Sequence, residues 1–178
     1  STGSGQLTQG LVGWWKMDEA SWSGAADEVI DSSGADNHGV ASGNATATST
    51  AKFGRSGEFD GSSGYVDTGL STNFSGNGDF TAQAWVKIAS GVTTDYAVTQ
   101  SHTASYSSDW FFPYGNGSDI FWFRTVQMGT YSDIADSEWH HLSLVWYRDD
   151  EVYEGFVDGV SLGRSDKVSG YGGVNSIK

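Results

Sequence analysis

The sequence predicts an all-β protein built as an antiparallel sandwich. Aromatics make up 14% of its 178 residues, and it has 25 Gly against a single Pro. With Ser, Thr and Asn running throughout, that mix suits strands and tight turns. Several apolar runs alternate with period two, the signature of half-buried strands. No stretch reads as an amphipathic helix, and no internal repeat is visible. A chain of this length can bury a real core as one domain.

Residues 1–9, opening with STGSGQ, read as a linker or an expression remnant outside the fold. Residues 10–178 read as the domain. Leu11–Glu19 (LVGWWKMDE) is the first apolar run and carries β-type residues. Ala20–Ala51 is polar and small, centred on DSSGADNHG, and reads as turns. GEFDGSSGYVDTG gives a strand, a turn at Asp60-Gly61 and a second strand. In Phe80–Ile88, Phe80, Ala82, Ala84, Val86 and Ile88 share one face, and Thr81, Gln83, Trp85 and Lys87 the other. Asp119–Thr125 alternates too. Arg124 places Ile120 and Trp122 on the outward face, with Phe121 and Phe123 inward. WHHLSLVWYRDD is a strand whose core face is Leu142, Leu144 and Trp146. An acidic turn leads from it to VYEGFVDGVSLG, where Asp158-Gly159 signals a hairpin.

Nine basic residues stand against 22 acidic ones, a formal charge of −13. Such a surface repels nucleic acid and anionic membranes. No apolar run approaches the roughly 18 residues of a membrane span. There is no cysteine, hence no disulfide or thiol chemistry.

GLVGWWKMDE, DSSGADNHG, KFGRSGEFDGSSGYVDTG, FTAQAWVKI, WHHLSLVWYRDD and GFVDGVSLG occur in the order seen in laminin-G-like, concanavalin A-like domains. The chain most resembles the bacterial LamG-like modules of secreted enzymes and adhesins, which are related to pentraxins. The resemblance runs over about residues 10–178 and is specific for the fold, not for a ligand. It implies an all-β, concanavalin A-like jelly-roll sandwich of two antiparallel sheets, often with calcium, usually in a binding role, at the cell surface or outside it. It also implies a strand after the SIK segment that this sequence does not show. The domain is then expected to lack its closing C-terminal strand, and a neighbouring segment or chain to donate one.

Catalysis on such a fold needs two carboxylates converging on a cleft. The Glu-x-Asp-x-x-Glu string of family-16-type glucanases is absent, as are alginate-lyase-type strings and Gly-x-Ser-x-Gly. Asp18-Glu19 and Asp27-Glu28 are adjacent pairs that a strand would send to opposite faces. His140-His141 falls at the start of the WHH strand, where the resemblance implies structure. The expectation is a protein that is not an enzyme.

For metal, DSSGADNHG offers Asp31 and Asn37 as hard oxygen ligands suited to calcium. The same residues also make an Asx-rich turn that satisfies its own backbone. Asp109 lies in the loop where the resemblance to pentraxins implies calcium ligands. Asn-x-Ser/Thr sequons at Asn44, Asn73 and Asn116 are what chance gives in so polar a chain.

The stretch from Tyr106 to Phe123 holds eight of the chain's 25 aromatics. Alternation sends only about half of a strand's rings inward. An exposed ring over polar neighbours is how proteins hold sugars, because the C–H face of a pyranose stacks on it. Trp110, Tyr114 and Trp122 are the expected platform. Asp109, Asn116 and Arg124 flank it, and Trp85 extends it from the polar face of its own strand. A small core under a long loop would use the same rings. Trp14, Trp85 and Trp139 also fall where the resemblance implies structural roles. The expected function is non-catalytic, lectin-like binding of a polysaccharide or cell-surface glycan within a larger extracellular bacterial protein. The alternative is an adhesin or structural surface domain that binds protein or acts as a spacer.

Overall fold

The computed structural model describes residues 9–70, 78–92, 97–100, 110–114, 121–123 and 126–165, with backbone only along 97–100, 110–114, 121–123 and 126–127. The chain divides into two compact units, one up to Leu70 and one from Ser71. The described residues hold twelve strands, every pairing is antiparallel, and the single helical element is the 3-10 turn Tyr131–Asp133.

In the first unit, β1 (Val40–Ser42) pairs with β4 (Tyr65–Asp67), and β2 (Thr46–Thr48) pairs with β3 (Ser56–Glu58). Val29, Ala41, Ala45 and Val66 bury together, with Trp15, Met17 and Trp22 packed against them. Two of these strands lie inside Ala20–Ala51, which sequence reasoning read as turns. They are only three residues long, too short for a period-two pattern to emerge. The apolar run Leu11–Glu19 contributes no strand, only a bridge from Trp15 to Asp31. Asp60-Gly61 is a bend as expected, but it joins strands that pair elsewhere rather than with each other.

The second unit matches the alternation closely. β5 (Phe80–Lys87), β10 (Trp139–Tyr147), β11 (Val152–Val157) and β12 (Val160–Arg164) form one sheet in the order β12-β11-β10-β5. Leu142, Leu144 and Trp146 are 0–2% exposed, while Val86 and Tyr153 bury beside them on β5 and β11. Asp158 and Gly159 both have positive φ, 50° and 80°, which a type I′ hairpin turn requires of its two central residues.

A second sheet follows the order β6-β7-β8-β9, from β6 (Ala97–Gln100), β7 (Trp110–Tyr114), β8 (Phe121–Phe123) and β9 (Val126–Met128). Met128 at its end joins the core cluster with Tyr131, Ile134 and Ala135.

The two faces of β10 should therefore respond differently to truncation. Leu144→Ala should cost about 2–5 kcal/mol of stability, as large-to-small core changes do. Val145→Ala on the other face should cost less than about 1.5 kcal/mol. Chemical denaturation of the two variants checks this, and equal losses would contradict the assigned facing.

Candidate functional site

The sheet face opposite Leu142, Leu144 and Trp146 carries a mixed aromatic and polar surface. On β5 it presents Thr81, Gln83, Trp85 and Lys87, all exposed. The register sets Trp85 opposite His141 and Gln83 opposite Ser143 on β10. Trp85 is 41% exposed, and its ring centroid lies 5.2 Å from that of His141 at an interplanar angle of 54°. Ser143 in turn pairs with Phe156 on β11. The result is a ring braced from one side, with an amide, a hydroxyl and an ammonium on neighbouring positions.

Further along the same face, one carboxylate gathers three side-chain donors. Glu154 accepts hydrogen bonds from Ser161 Oγ (2.8 Å), Arg164 Nε (3.1 Å) and Tyr147 OH (3.2 Å). The Arg164 guanidinium also lies 4.2 Å from the centre of the Tyr147 ring. The Ser161 bond first, then Arg164 and Tyr147, hold the Glu154 carboxyl below the usual range. A carboxyl so held keeps its negative charge and makes a poor proton donor.

At the end of this sheet, His140 bridges two acids. Its Nδ1 lies 2.8 Å from Asp158 Oδ2 and its Nε2 lies 3.2 Å from Asp136 Oδ1. A neutral imidazole has one donor and one acceptor nitrogen, so only the imidazolium satisfies both contacts. Burial alone lowers the pKa of His140, but the bonds to Asp158 and Asp136 outweigh it and raise it overall. Asp158 is held down first by the backbone N–H of His141, 2.8 Å from its Oδ1, and then by His140. Asp136 is held down first by the N–H of Glu138 and then by His140.

The loop around Asp31 is built as an anchor. Its Oδ1 accepts the N–H groups of Trp14 and Ser33, both at 2.8 Å. Its Oδ2 accepts the Ser33 hydroxyl at 2.7 Å and the Asn37 N–H at 3.0 Å. Burial opposes ionisation of Asp31, yet these four donors lower its pKa on balance. Asn37 uses its Nδ2 to donate to the Val12 carbonyl, and its own carbonyl accepts from Trp15 Nε1. A calcium ion at Asp31 would have to displace donors already in place. Among the described residues, no three His, Cys, Asp or Glu side chains gather as a metal group.

Of the other sequence candidates, Trp110 and Tyr114 lie on β7 and Trp122 on β8. The backbone register sets Trp110 opposite Phe123 and Trp122 opposite Phe111, so the two Trp are not cross-strand partners. The side chains there, and Asp109, Asn116 and Arg124 altogether, lie outside the described residues. Trp14 is 48% exposed, with the Lys16 ammonium 4.6 Å from its ring centre, so it too is a surface ring. Sequence reasoning missed His141 and Ser143 as neighbours of Trp85. Aligning the period-two faces of β5 and β10 would have found them.

Two measurements follow. The His140 pKa lies above its ordinary value of about 6.5, so its stabilising contribution is full below that value and is lost as pH rises through the folded value. The Asp136 and Asp158 contributions are full above about pH 4 and are lost as pH falls through their lowered values. The melting temperature should therefore fall as the pH rises above about 6.5, and His140→Gln should flatten that fall in parallel melts. Separately, Asp31→Ala should cost about 1–3 kcal/mol by orphaning its donors. Any effect of calcium on the melting temperature should be the same in both forms. A calcium-dependent rise in the parent that the variant loses would assign Asp31 to a metal.

Residues 60–176 match the family model Laminin_G_3, described as the concanavalin A-like lectin/glucanases superfamily. No curated protein matches the chain.

Proposed function

Because the chain belongs to the concanavalin A-like lectin/glucanase superfamily, we propose that it is a non-catalytic carbohydrate-binding module of an extracellular protein. The observation that carries this reading is Trp85. It is a large ring, 41% exposed, on a mixed aromatic and polar sheet face, with the His141 ring tilted beside it. The C–H face of a sugar ring stacks on such a surface, and Gln83, Ser143 and Lys87 supply hydrogen bonds to its hydroxyls. The ligand is a polysaccharide or a cell-surface glycan.

Trp110, Tyr114 and Trp122, flanked by Asp109, Asn116 and Arg124, are proposed as further rings for a glycan, on the strength of their density in the sequence. The β7–β8 register sets Trp122 at a position of opposite facing to Trp110 and Tyr114, so one ligand meets Trp122 or the other two. Calcium, with Asp109 as its candidate ligand, is retained as a proposal for the same region.

The acids support a binding role over hydrolysis. Glu154 is committed to Ser161, Arg164 and Tyr147, and Asp158 to His140 and the His141 N–H. A glycosidase needs one carboxyl that holds a proton near neutral pH and a second facing it. The charge of −13 disfavours nucleic acid, and no described helix is long and apolar enough to cross a membrane.

A second reading rests on β12. Among the described residues it ends its sheet, and Val160 and Leu162 are 68% and 38% exposed. A strand edge of that kind accepts another strand, donated by a neighbouring segment or chain, as an adhesin or structural domain would use it.

A glycan array with and without chelator tests the proposal. Binding should be weak at a single site, because association must first offset lost translational and rotational freedom. Trp85→Ala should abolish retention while leaving the melting temperature within a few degrees. Trp110→Ala, Tyr114→Ala and Trp122→Ala show whether those rings contribute. Unchanged retention by Trp85→Ala would refute this site. Reducing ends released from a polysaccharide, and lost on one carboxylate substitution, would refute the non-catalytic role.

A further inference from the structure

The first unit holds an open groove of about 530 Å³, lined by none of the residues named in the sugar-binding face. Its lining includes Trp22, Ser23, Ala41, Gly43, Asn44 and Thr46. Gly43 has φ +62°, and a Cβ there would sit 2.0 Å from the Ser63 carbonyl oxygen, so no side chain is tolerated.

Several of the groove's donors are already spent. Trp22 Nε1 donates to Glu19 Oε2 at 3.1 Å. The Ser23 hydroxyl donates to Glu28 Oε2 at 3.1 Å, and the Gly24 N–H to Glu28 Oε1 at 2.7 Å. Asn44 Nδ2 donates to Asp60 Oδ2 at 2.7 Å. Three carboxylates thus stand behind the lining and fix it. The donors that hold Glu28 and Asp60 are neutral: backbone N–H groups, Ser hydroxyls and the Asn44 amide. Those bonds keep both carboxyls below the usual range, so they stay charged at neutral pH.

A ligand for this groove needs an apolar face for Trp22, hydrogen-bond donors of its own, and a charge that suits negative surroundings. We propose that the groove is a binding site for a saccharide unit bearing a protonated amine, an amino sugar such as a glucosamine residue. Its C–H face lies on Trp22. Its ammonium and hydroxyls donate to the acceptors that the lining leaves over, and the ammonium is attracted by the ring and by the carboxylates behind it. The site is independent of the Trp85 face and stands or falls separately from it.

The test is a titration of the isotope-labelled full chain, following the indole N–H signals, with Trp22 and Trp85 assigned by single substitution. The probes are a glucosamine trimer and its N-acetylated counterpart. The Trp22 signal should move saturably with the glucosamine trimer. The N-acetylated trimer should bind roughly threefold more weakly, the size of one exposed charge interaction, and added salt should close that gap. Trp22 also packs on the Val29–Val66 cluster, so Trp22→Ala is a poor binding test. Thr46→Arg is better: Thr46 is an exposed β2 residue that lines the groove and is not a member of that cluster. It should keep the melting temperature and any Trp85 response, and lose the Trp22 response. No Trp22 movement with either trimer, or the same movement in Thr46→Arg, would overturn the site. Equal affinity for the two trimers would overturn the amino-sugar assignment.

Discussion

The second unit depends on one constraint: β5, β10 and β11 are paired in register along nearly their whole length. Leu142 faces Ala84 on one side and Val157 on the other, and Trp146 faces Phe80 and Tyr153. Side chains alternate strictly along a strand, so fixing the Leu142–Trp146 line in the core fixes everything on the opposite face. Trp85, His141, Ser143 and Phe156 form a surface because their neighbours in sequence are buried. A slip of one residue would exchange the two sets and drown a lysine and a glutamate. The candidate sugar-binding face is a consequence of the core and needs no separate folding signal.

A second theme is the use of acids. Twenty-two Asp and Glu in 178 residues invite a search for metal or catalysis. Their geometry shows a different use. Asp31 takes four donors across its loop, and Asp60 takes the N–H groups of Ser62, Ser63 and Gly64. Glu28 holds Ser23 and Gly24. In each case a carboxylate stands in for the strand partner that a loop lacks, since turn N–H groups must find an acceptor somewhere. A unit with three-residue strands has many such groups. Much of the negative charge is therefore the cost of building irregular chain without helices.

What was legible in the sequence follows from length and period. Phe80–Ile88 and Trp139–Tyr147 are long enough to display alternation, and they fold as read. Asp158-Gly159 announced its hairpin, because only a few residue pairs accept positive φ at both positions. Between Ala20 and Ala51 the strands are too short to show a period, and their partners lie 8–12 positions away for β2–β3 and 23–27 for β1–β4, so no local rule finds them. The same limit hid the groove, which needs Trp22 beside Gly43 and Asn44. The aromatic density from Tyr106 to Phe123 drew attention to β7 and β8. The sequence reads Trp85 either as an extension of that platform or as a structural ring, and its exposure, together with the ring beside it, places it on the surface.

The sheet face is stiffened from its end. Asp158 caps the β11–β12 turn, accepts the His141 N–H through Oδ1 and reaches His140 through Oδ2, while its own N–H donates 2.8 Å to the His141 carbonyl. One residue thus ties the hairpin turn to the backbone of the residue whose ring braces Trp85. Asp136 grips His140 from the other side. A weak binder gains most from a surface that loses little freedom on binding, because ordering a loose ring subtracts directly from a small net free energy. Under the proposed sugar-binding role, the acids at His140 contribute in that way: they hold the strand that carries His141, the ring beside Trp85.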